Sequence, residues 1–387
     1  MRPEAPDPRL RCADCALELD WDPMLLHCPA CGGPLDAASA LPDLGGGLAP
    51  IIDLAERGVW RYRRAMAVPH DLSLVSLGEG ATPVLRLARW GRVHDLEMVF
   101  TKLEFLSPTG SFKDRGASVV VSVLHAAGAK LLVEDSSGNA GAAVAAYGAR
   151  AGLEVRVFVP SAAPAAKIDQ ISRYGAAIER VGGTREDVAA AALAAVRDPG
   201  AVYASHSRHP MFLEGMKTFA LELVEAGAEQ LPHHLVIPVG NGGLLLGTYK
   251  AIGELRAAGL DVALPRLHLA QAAACAPLVE ALERGEEWPV KLMAKPTRAG
   301  GVAVAAPVRG RQILAAVRAS GGSAVGVSED QIGASQAELA RLEGLYLEPT
   351  AALGFAAAAR LRTNGIIGAG ERVLIPATGS GLKDPAG

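Results

Sequence analysis

The sequence predicts an α/β fold with two open, twisted, mostly parallel sheets and helices on both faces, preceded by a small N-terminal module. Three observations lead to this prediction. Short apolar β-type runs alternate with Ala-rich helical stretches from about residue 51 onward, a pattern typical of parallel sheets covered by helices. Four of the five cysteines lie between residues 12 and 31. The length of 387 residues suits two core domains and a small appendage.

The overall composition is that of a globular protein, with 50% hydrophobic and 20% charged residues. Lys+Arg total 38 and Asp+Glu total 41, a balance that argues against a nucleic-acid or anionic-membrane surface as the main partner. Aromatic residues make up only 4% and leave little material for base stacking. No apolar run reaches the ~18 residues of a membrane span, and the first residues are charged and Pro-rich. We therefore expect a cytoplasmic protein.

The N-terminal cysteines form two CxxC pairs, Cys12 with Cys15 and Cys28 with Cys31. Two such pairs can close one tetrahedral Zn–S4 site, which supplies folding energy to a segment with almost no core. The spacing is shorter than the common range, but a short β-hairpin would span it. We predict a structural zinc in a zinc-ribbon-like module that occupies residues 1–45 together with its Gly- and Pro-rich linker. The alternatives are redox-active or incidental cysteines, or His27 as a substitute ligand.

The alternating pattern after the linker assigns strands and helices in order. The predicted strands lie at residues 98–102, 130–134, 155–159, 235–239, 266–269 and 372–376. The predicted helices lie at residues 117–127, 140–151 and 186–197. Since Ala is the strongest helix former, the Ala-rich stretches are interpreted as helices rather than as low-complexity segments.

Lys113 lies in residues 107–116 (SPTGSFKDRG), where a Gly-containing turn leads to the start of a predicted helix. The positive potential at a helix N-terminus disfavours a charged ammonium and favours a neutral or imine-linked amine. A lysine in that position suits Schiff-base chemistry. The alternative is an ordinary solvated lysine.

Three further segments follow predicted strands, at the junctions where α/β proteins bind ligands. The backbone N–H groups of residues 136–140 (SSGNA) open a helix and can hold a carboxylate, unless the segment is a plain N-cap turn. The three glycines of residues 240–244 (GNGGL) let the backbone approach a phosphate closely. Residues 378–384 (TGSGLKD) present a hydroxyl on a tight turn and, taken alone, would be interpreted as a loop.

In this order and at these spacings, the four segments resemble the threonine synthase family, which are pyridoxal-5′-phosphate (PLP) enzymes of fold type II, similar to tryptophan synthase β. The resemblance covers nearly the whole chain, and the string SPTGSFKDRG is very specific to the family. It implies a larger PLP-binding domain of residues 46–115 with 206–387, and a smaller inserted α/β domain of residues 116–205. It also implies a homodimer.

The resemblance further implies a role for each site residue. Lys113 is expected to form the aldimine with PLP and to move the Cα proton, with Phe112 beside the ring. Asn139 would bond the phenolic oxygen, and Thr378 would face the pyridine nitrogen, where a hydroxyl leaves the ring a moderate electron sink. The PLP phosphate would be held by Gly240, Asn241, Gly242, Gly243 and Leu244. The substrate carboxylate would be held by Ser137, Gly138, Asn139 and Ala140. Glu348 either lines the cofactor side of the site or has a structural role.

The chain departs from the family where threonine synthase binds the phosphate of O-phospho-L-homoserine. Ala140 replaces the family's Thr, Leu244 its Asn, Phe212 its Arg and Ser380 its His, and His206 replaces a further Asn. Ser207 is retained beside these positions, and we expect Ser207 and Phe212 to contact the substrate.

Each lost charge-assisted phosphate contact costs about 1.5–3 kcal/mol, so these replacements predict a pocket re-specified for a smaller or more apolar substrate. The alternative is that His206, Arg208 and His209 rebuild the anion site.

The leading prediction is therefore a PLP-dependent lyase that performs elimination or replacement on a small, non-phosphorylated L-amino acid. A threonine/serine ammonia-lyase or a β-replacement enzyme is the simplest example. The alternative is threonine synthase itself, which converts O-phospho-L-homoserine and water to L-threonine and phosphate. A third hypothesis is a non-catalytic regulatory or scaffold protein that uses the cysteine module for contacts. The retention of Lys113, Asn139 and Thr378 argues against it.

Overall fold

The computed structural model describes residues 8–69, 71–163, 165–183, 185–227 and 231–383. The first seven residues and Asp384 of the TGSGLKD turn lie outside the described residues. The strands are β1 (Arg9–Cys12), β2 (Glu18–Leu19), β3 (Leu35–Ala38), β4 (Val84–Arg86), β5 (Val99–Lys102), β6 (Leu131–Glu134), β7 (Glu154–Pro160), β8 (Ala177–Val181), β9 (Ala201–Tyr203), β10 (His234–Pro238), β11 (Arg266–Ala272), β12 (Ala324–Val327) and β13 (Val373–Pro376).

The α-helices cover the sheets and supply most of the buried Ala residues. They are α1 (Ala88–Val93), α2 (Asp114–Ala126), α3 (Asn139–Ala151), α4 (Ala165–Arg173), α5 (Arg185–Ala195), α6 (Pro210–Glu225), α7 (Gly243–Ala257), α8 (Pro277–Glu283), α9 (Gly310–Ala319), α10 (Glu329–Glu343) and α11 (Pro349–Thr363). Within the described part of the chain, no helix is long and apolar enough to cross a bilayer.

Two open sheets form the body of the protein. The larger has the strand order β12-β11-β10-β13-β5-β4, and only its edge pair β4–β5 is antiparallel. The smaller has the order β8-β7-β6-β9 and is parallel throughout. The central strands β10 and β13 carry the continuous apolar runs LVI and VLI and are buried, as parallel strands covered on both faces require. The predicted α/β fold with mostly parallel sheets is confirmed, whereas the domain boundaries stay a prediction.

The N-terminal module is a three-stranded antiparallel sheet in the order β2-β1-β3. Along β1 exposed and buried residues alternate, with Leu10 buried, as expected for a sheet with one covered face. Arg309, just before α9, connects the N-terminal module to the part of the protein formed by the two large sheets. Its buried guanidinium donates to the carboxylate of Asp36 at 2.7 Å and to the carbonyl of Leu35 at 2.5 Å.

Every predicted strand and helix after the linker is found, with ends shifted by a few residues. The largest differences are of three residues: α2 begins at Asp114 instead of residue 117, and β11 extends to Ala272 instead of ending at Leu269. The added residues, Ala-Gln-Ala, lack the branched side chains typical of strands. They are strand because β12 pairs with them from Leu269 onward.

Candidate active site

The carboxyl ends of strands from both large sheets open onto one cavity of about 820 Å³. Lys113, Asn139 and Thr378 line it, which brings together residues from three distant motifs. The other predicted site residues in its wall are Phe112, Ser137, Gly138, Ala140, Gly240, Asn241, Gly242, Gly243 and Leu244. Ser207 and Phe212 are not among the residues that line it. The cavity thus unites all the predicted cofactor residues and the predicted carboxylate site.

Lys113 is the residue immediately before α2 and has helical φ and ψ. Gly110 precedes it with φ +82°, a conformation that glycine adopts without strain. The Lys113 Nζ lies 4.8 Å from the ring centroid of Phe112 and 5.5 Å from that of Phe212. The amine is therefore presented to the cavity between two aromatic rings at a helix N-terminus.

A buried hydrogen bond closes the turn that presents Lys113. The carboxylate of Asp114 accepts the backbone N–H of Thr109 at 2.7 Å and also the Thr109 hydroxyl. Burial raises the pKa of Asp114 to about 7, although these bonds oppose the rise. The turn from residue 109 to residue 114 is thereby fixed at both ends.

A buried ion cluster fixes the first turn of α2 from below. Arg115 is fully buried and donates to Glu104 at 2.7 Å and to Glu222 at 2.6 Å. Lys102 also pairs with Glu222, at 2.6 Å. Burial by itself raises the pKa of Glu222, but Arg115 and Lys102 outweigh it and hold that pKa at about 2. The charges under Lys113 are therefore paired, and the helix is pinned to α6.

Two helix N-termini face the cavity without side-chain caps. Gly138 precedes α3, and Gly242, with φ +72°, precedes α7. A Cβ at Gly240 would lie 2.8 Å from the carbonyl oxygen of Gly301, so the loop before α7 packs backbone against backbone. Uncapped first-turn N–H groups are natural ligands for anions. Both ends can therefore hold an anion, and the assignment of one to a carboxylate and the other to a phosphate stays a prediction.

Buried polar atoms at the cavity show that a polar ligand fits here. The hydroxyl of Thr378 and the ammonium of Lys383 are buried and have no hydrogen-bond partner among the described residues. A buried polar group left unpaired costs about 1–3 kcal/mol. Asn139 Nδ2 donates to the Glu348 carboxylate at 2.9 Å. The amine of Lys113 matches the aldehyde of PLP, and the Thr378 hydroxyl matches its pyridine nitrogen. The Asn139 amide matches the phenolic oxygen, and the glycine loop of residues 240–244 matches the phosphate. The residues therefore fit the cofactor.

The far side of the cavity differs from a rebuilt phosphate site. Among the three basic residues proposed for that role, only His206 lines the cavity. His209 is buried, its Nε2 lies 3.1 Å from the carbonyl of Pro23, and burial lowers its pKa to about 4. Phe212 is 1% exposed and lies behind the wall, where its ring packs so closely on Gly116 that a Cβ there would come within 2.7 Å.

Two residues that the sequence did not assign to the site are Lys383, which lines the cavity, and Glu134, which contacts His206. Lys383 belongs to the TGSGLKD turn, so its position in a motif was the available signal. Glu134 ends a predicted strand, where nothing distinguishes it from any strand-terminal carboxylate.

The four N-terminal cysteines come together as predicted. Their Sγ atoms all lie within 4.8 Å of one another, with 3.4 Å from Cys12 to Cys31 and 3.7 Å from Cys15 to Cys28. Tetrahedral Zn–S4 sites with Zn–S of about 2.3 Å have S···S distances of about 3.8 Å. Backbone N–H groups of Asp14 and Gly33 point at two of the sulfurs. His27 is outside the cluster found among the described residues. The cluster suits a metal ion, and zinc stays a proposal.

Comparison with known proteins agrees with this architecture. The sequence pattern described as "Pyridoxal-phosphate dependent enzyme" matches residues 75–379. Threonine synthase from Methanosarcina acetivorans is 33% identical over 385 residues, which cover 97% of this chain and 92% of that protein. Threonine synthase from Mycobacterium leprae is 34% identical over 327 residues, with 84% and 88% covered.

Solved structures give the same architecture. A threonine deaminase from T.th. has a TM-score of 0.64 and 27% identity, covering 77% of this chain and 92% of that chain. Maize serine racemase has a TM-score of 0.67 at 24% identity, covering 78% and 88%, and shows the fold alone.

Proposed function

The chain belongs to the threonine synthase family of pyridoxal-phosphate dependent enzymes, and we propose that it eliminates a substituent from the side chain of a small L-amino acid. One observation carries this proposal. Lys113 is presented to a single cavity between two uncapped helix N-termini, those of α3 and α7. Such an arrangement can hold a carboxylate on one side and a phosphate on the other, with an amine between them.

The residues of the chain supply binding, orientation and proton transfer. When bound, the cofactor withdraws electrons from Cα of an amino acid joined to its aldehyde carbon. Lys113 would hold that aldehyde at rest and would take the Cα proton during the reaction. The amides of residues 137–140 hold the substrate carboxylate and so orient Cα. The Thr378 hydroxyl would donate to the pyridine nitrogen without charging it, which would favour elimination over transamination.

For the substrate, we propose O-phospho-L-homoserine, converted with water to L-threonine and phosphate. The departures at Ala140, Phe212 and Leu244 make a non-phosphorylated substrate the leading prediction from the sequence. The relatives instead favour O-phospho-L-homoserine, which is the alternative prediction. The proteins named threonine synthase align along nearly the whole chain, cysteine module included. The buried Lys383 ammonium at the cavity offers a cation for the substrate phosphate.

A second candidate is elimination from non-phosphorylated L-threonine or L-serine to give a 2-oxo acid and ammonia. Ala140 and Leu244 favour it, since both line the cavity where the family has polar residues. The solved threonine deaminase has the same fold, so this fold can support that chemistry.

The test supplies the PLP-loaded protein with O-phospho-L-homoserine, L-threonine and L-serine in parallel. Release of phosphate and L-threonine from the first supports the proposal, whereas 2-oxo acid from the other two supports the second candidate. Lys113→Ala is the control and should abolish both. No product from any of the three, with the visible absorbance of bound PLP intact, would contradict both candidates.

A variant that restores the family's polar residues sharpens the test. Ala140→Thr combined with Leu244→Asn should raise turnover of O-phospho-L-homoserine if these positions have lost phosphate contacts. Phe212→Arg is unsuitable, because Phe212 is buried behind the wall against Gly116 and the change would place a charge in the core.

A further inference from the structure

We propose that His206 and Glu134 form a proton-transfer pair that acts on the leaving group of the substrate's side chain. The inference rests on the proposed function, since it assigns the acid for that elimination. It concerns a different proton from the one that Lys113 moves at Cα. In the family resemblance position 206 is Asn, whose amide cannot transfer a proton.

Glu134 holds His206 at two points. The Nδ1 of His206 lies 2.7 Å from Glu134 Oε1, and the His206 backbone N–H donates to Glu134 Oε2 at 3.3 Å. The Glu134 side chain is fully buried at the end of β6. A carboxylate in this position accepts Nδ1–H and so fixes the tautomer and the direction of the imidazole.

The other nitrogen of His206 is on the cavity side. Nε2 lies 3.4 Å from Nδ2 of Asn241, in the glycine loop that lines the cavity with His206 itself. The Phe212 ring meets the imidazole edge to face, with centroids 6.2 Å apart. The ring is thus held between Glu134 and Phe212, with Nε2 beside the glycine loop in the wall of the cavity.

Asp135 lies close enough that it, Glu134 and His206 could share a cation. The 2.7 Å contact between Glu134 and His206 argues against this use, because the two groups are hydrogen-bonded directly to each other. A carboxylate–imidazole contact of that length is the arrangement of a catalytic acid–base pair.

The proposed step balances as follows. In the imidazolium form, Nε2–H gives its proton to the leaving oxygen as the C–O bond breaks and its electron pair moves to oxygen. A phosphate ester then leaves as hydrogen phosphate, and a hydroxyl leaves as water. The neutral imidazole regains a proton from the water that adds to Cβ, or from solvent when no water adds. Glu134 holds Nδ1–H throughout.

The experiment compares three reactions of the PLP-loaded enzyme. The first is exchange of the Cα proton in D2O. The second is elimination of the oxygen leaving group from O-phospho-L-homoserine, L-threonine or L-serine, whichever the enzyme turns over. The third is elimination of chloride from β-chloro-L-alanine. Chloride departs without a proton, so only the second reaction needs the acid. We expect His206→Asn to slow oxygen elimination by about 10²–10⁴-fold and the other two reactions by less than about threefold. Glu134→Gln should give the same selective loss.

Arg208→Gln is the matched control, since Arg208 is basic, lies in the same loop and is not among the residues lining the cavity. It should leave all three rates unchanged. An equal loss of all three rates in both His206→Asn and Glu134→Gln would indicate a structural or cofactor-binding role and overturn the inference. Unchanged oxygen elimination in His206→Asn would also overturn it. If His206→Asn does not bind PLP, Glu134→Gln decides by the same comparison.

Failure of the proposed function itself looks different. In that case the wild-type protein performs none of the three reactions. A wild-type protein that exchanges the Cα proton and eliminates chloride, but no oxygen leaving group, retains the cofactor chemistry and contradicts the pair.

Discussion

The close approach of two loops at Gly240 can be tested with one methyl group. A Cβ added at Gly240 would lie 2.8 Å from the carbonyl oxygen of Gly301 and 3.1 Å from Cγ2 of Val304. Since ordinary contacts begin at 3.4 Å, Gly240→Ala must move one backbone segment away from the other by roughly 0.6 Å. Overpacking of this kind costs about 1–3 kcal/mol. If the loop relieves it by leaving the phosphate, PLP affinity falls by about 5- to 150-fold.

Gly253→Ala is the matched control, because an ideal Cβ at Gly253 in the interior of α7 meets nothing within 4 Å. It should bind PLP normally and raise stability by about 0.5–1 kcal/mol. The assay titrates the cofactor-free proteins with PLP and follows the visible absorbance. If Gly240→Ala binds PLP within about twofold of wild type, the tight packing of this loop is not what positions its amides, and the argument is wrong.

Three further predictions concern stability. Arg115→Met leaves Glu104 buried without its cation and should lower the free energy of unfolding by about 3–5 kcal/mol, measured in urea on the cofactor-free protein. Chelation of a metal at the four-cysteine cluster should lower the unfolding temperature while turnover per folded molecule stays constant; lost turnover without unfolding would contradict this. Burial lowers the pKa of His209 from 6.5 to about 4, so the unfolded chain binds a proton that the folded chain does not. Above pH 6.5 His209 is neutral in both states and costs no stability. As the pH falls to 4, protonation of His209 in the unfolded chain lowers the free energy of unfolding by up to about 3 kcal/mol. His209→Asn, which can still cap α6, should flatten this acid-side loss in urea unfolding at pH 4, 5 and 7.

The sequence predicts those strands whose own residues form a recognisable apolar run. Strands β10 and β13 are continuous apolar runs, and both are found where predicted. It does not predict β4, β8, β9 or β12. Strand β8 reads AIERV and is largely exposed at a sheet edge, and β9 has only three residues. Such strands form because a neighbour offers a row of unpaired N–H and C=O groups, and their own residues carry no signal for this.

The same limit explains which site residues were predictable. Lys113, Asn139 and Thr378 sit in contiguous strings, so each motif identifies its own residue. The pairing of His206 with Glu134 spans 72 positions and depends on β9 lying beside β6. Because β9 was not predicted, the contact was not predictable either. The position of Phe212 similarly depends on the missing side chain of Gly116 in another helix.

The charges around the cavity make Lys383 the residue that separates the two candidate substrates. His206 is paired with Glu134, and the acids Asp169 and Glu348 line the same cavity. A phosphate ester therefore needs a further cation. Burial lowers the pKa of Lys383, although the charges of Glu348 and Asp114 oppose this, and a phosphate would supply the hydrogen-bond partner that its ammonium lacks among the described residues.

Lys383→Met should leave the cofactor-free protein as stable as wild type or more so, because it removes a buried unpaired donor. If O-phospho-L-homoserine is the substrate, loss of one charge-assisted bond of about 1.5–3 kcal/mol raises its KM by about 10- to 150-fold. Elimination from L-threonine or L-serine needs no such cation and should keep its KM. An unchanged KM for O-phospho-L-homoserine in an enzyme that turns it over would show that Lys383 is not the phosphate ligand.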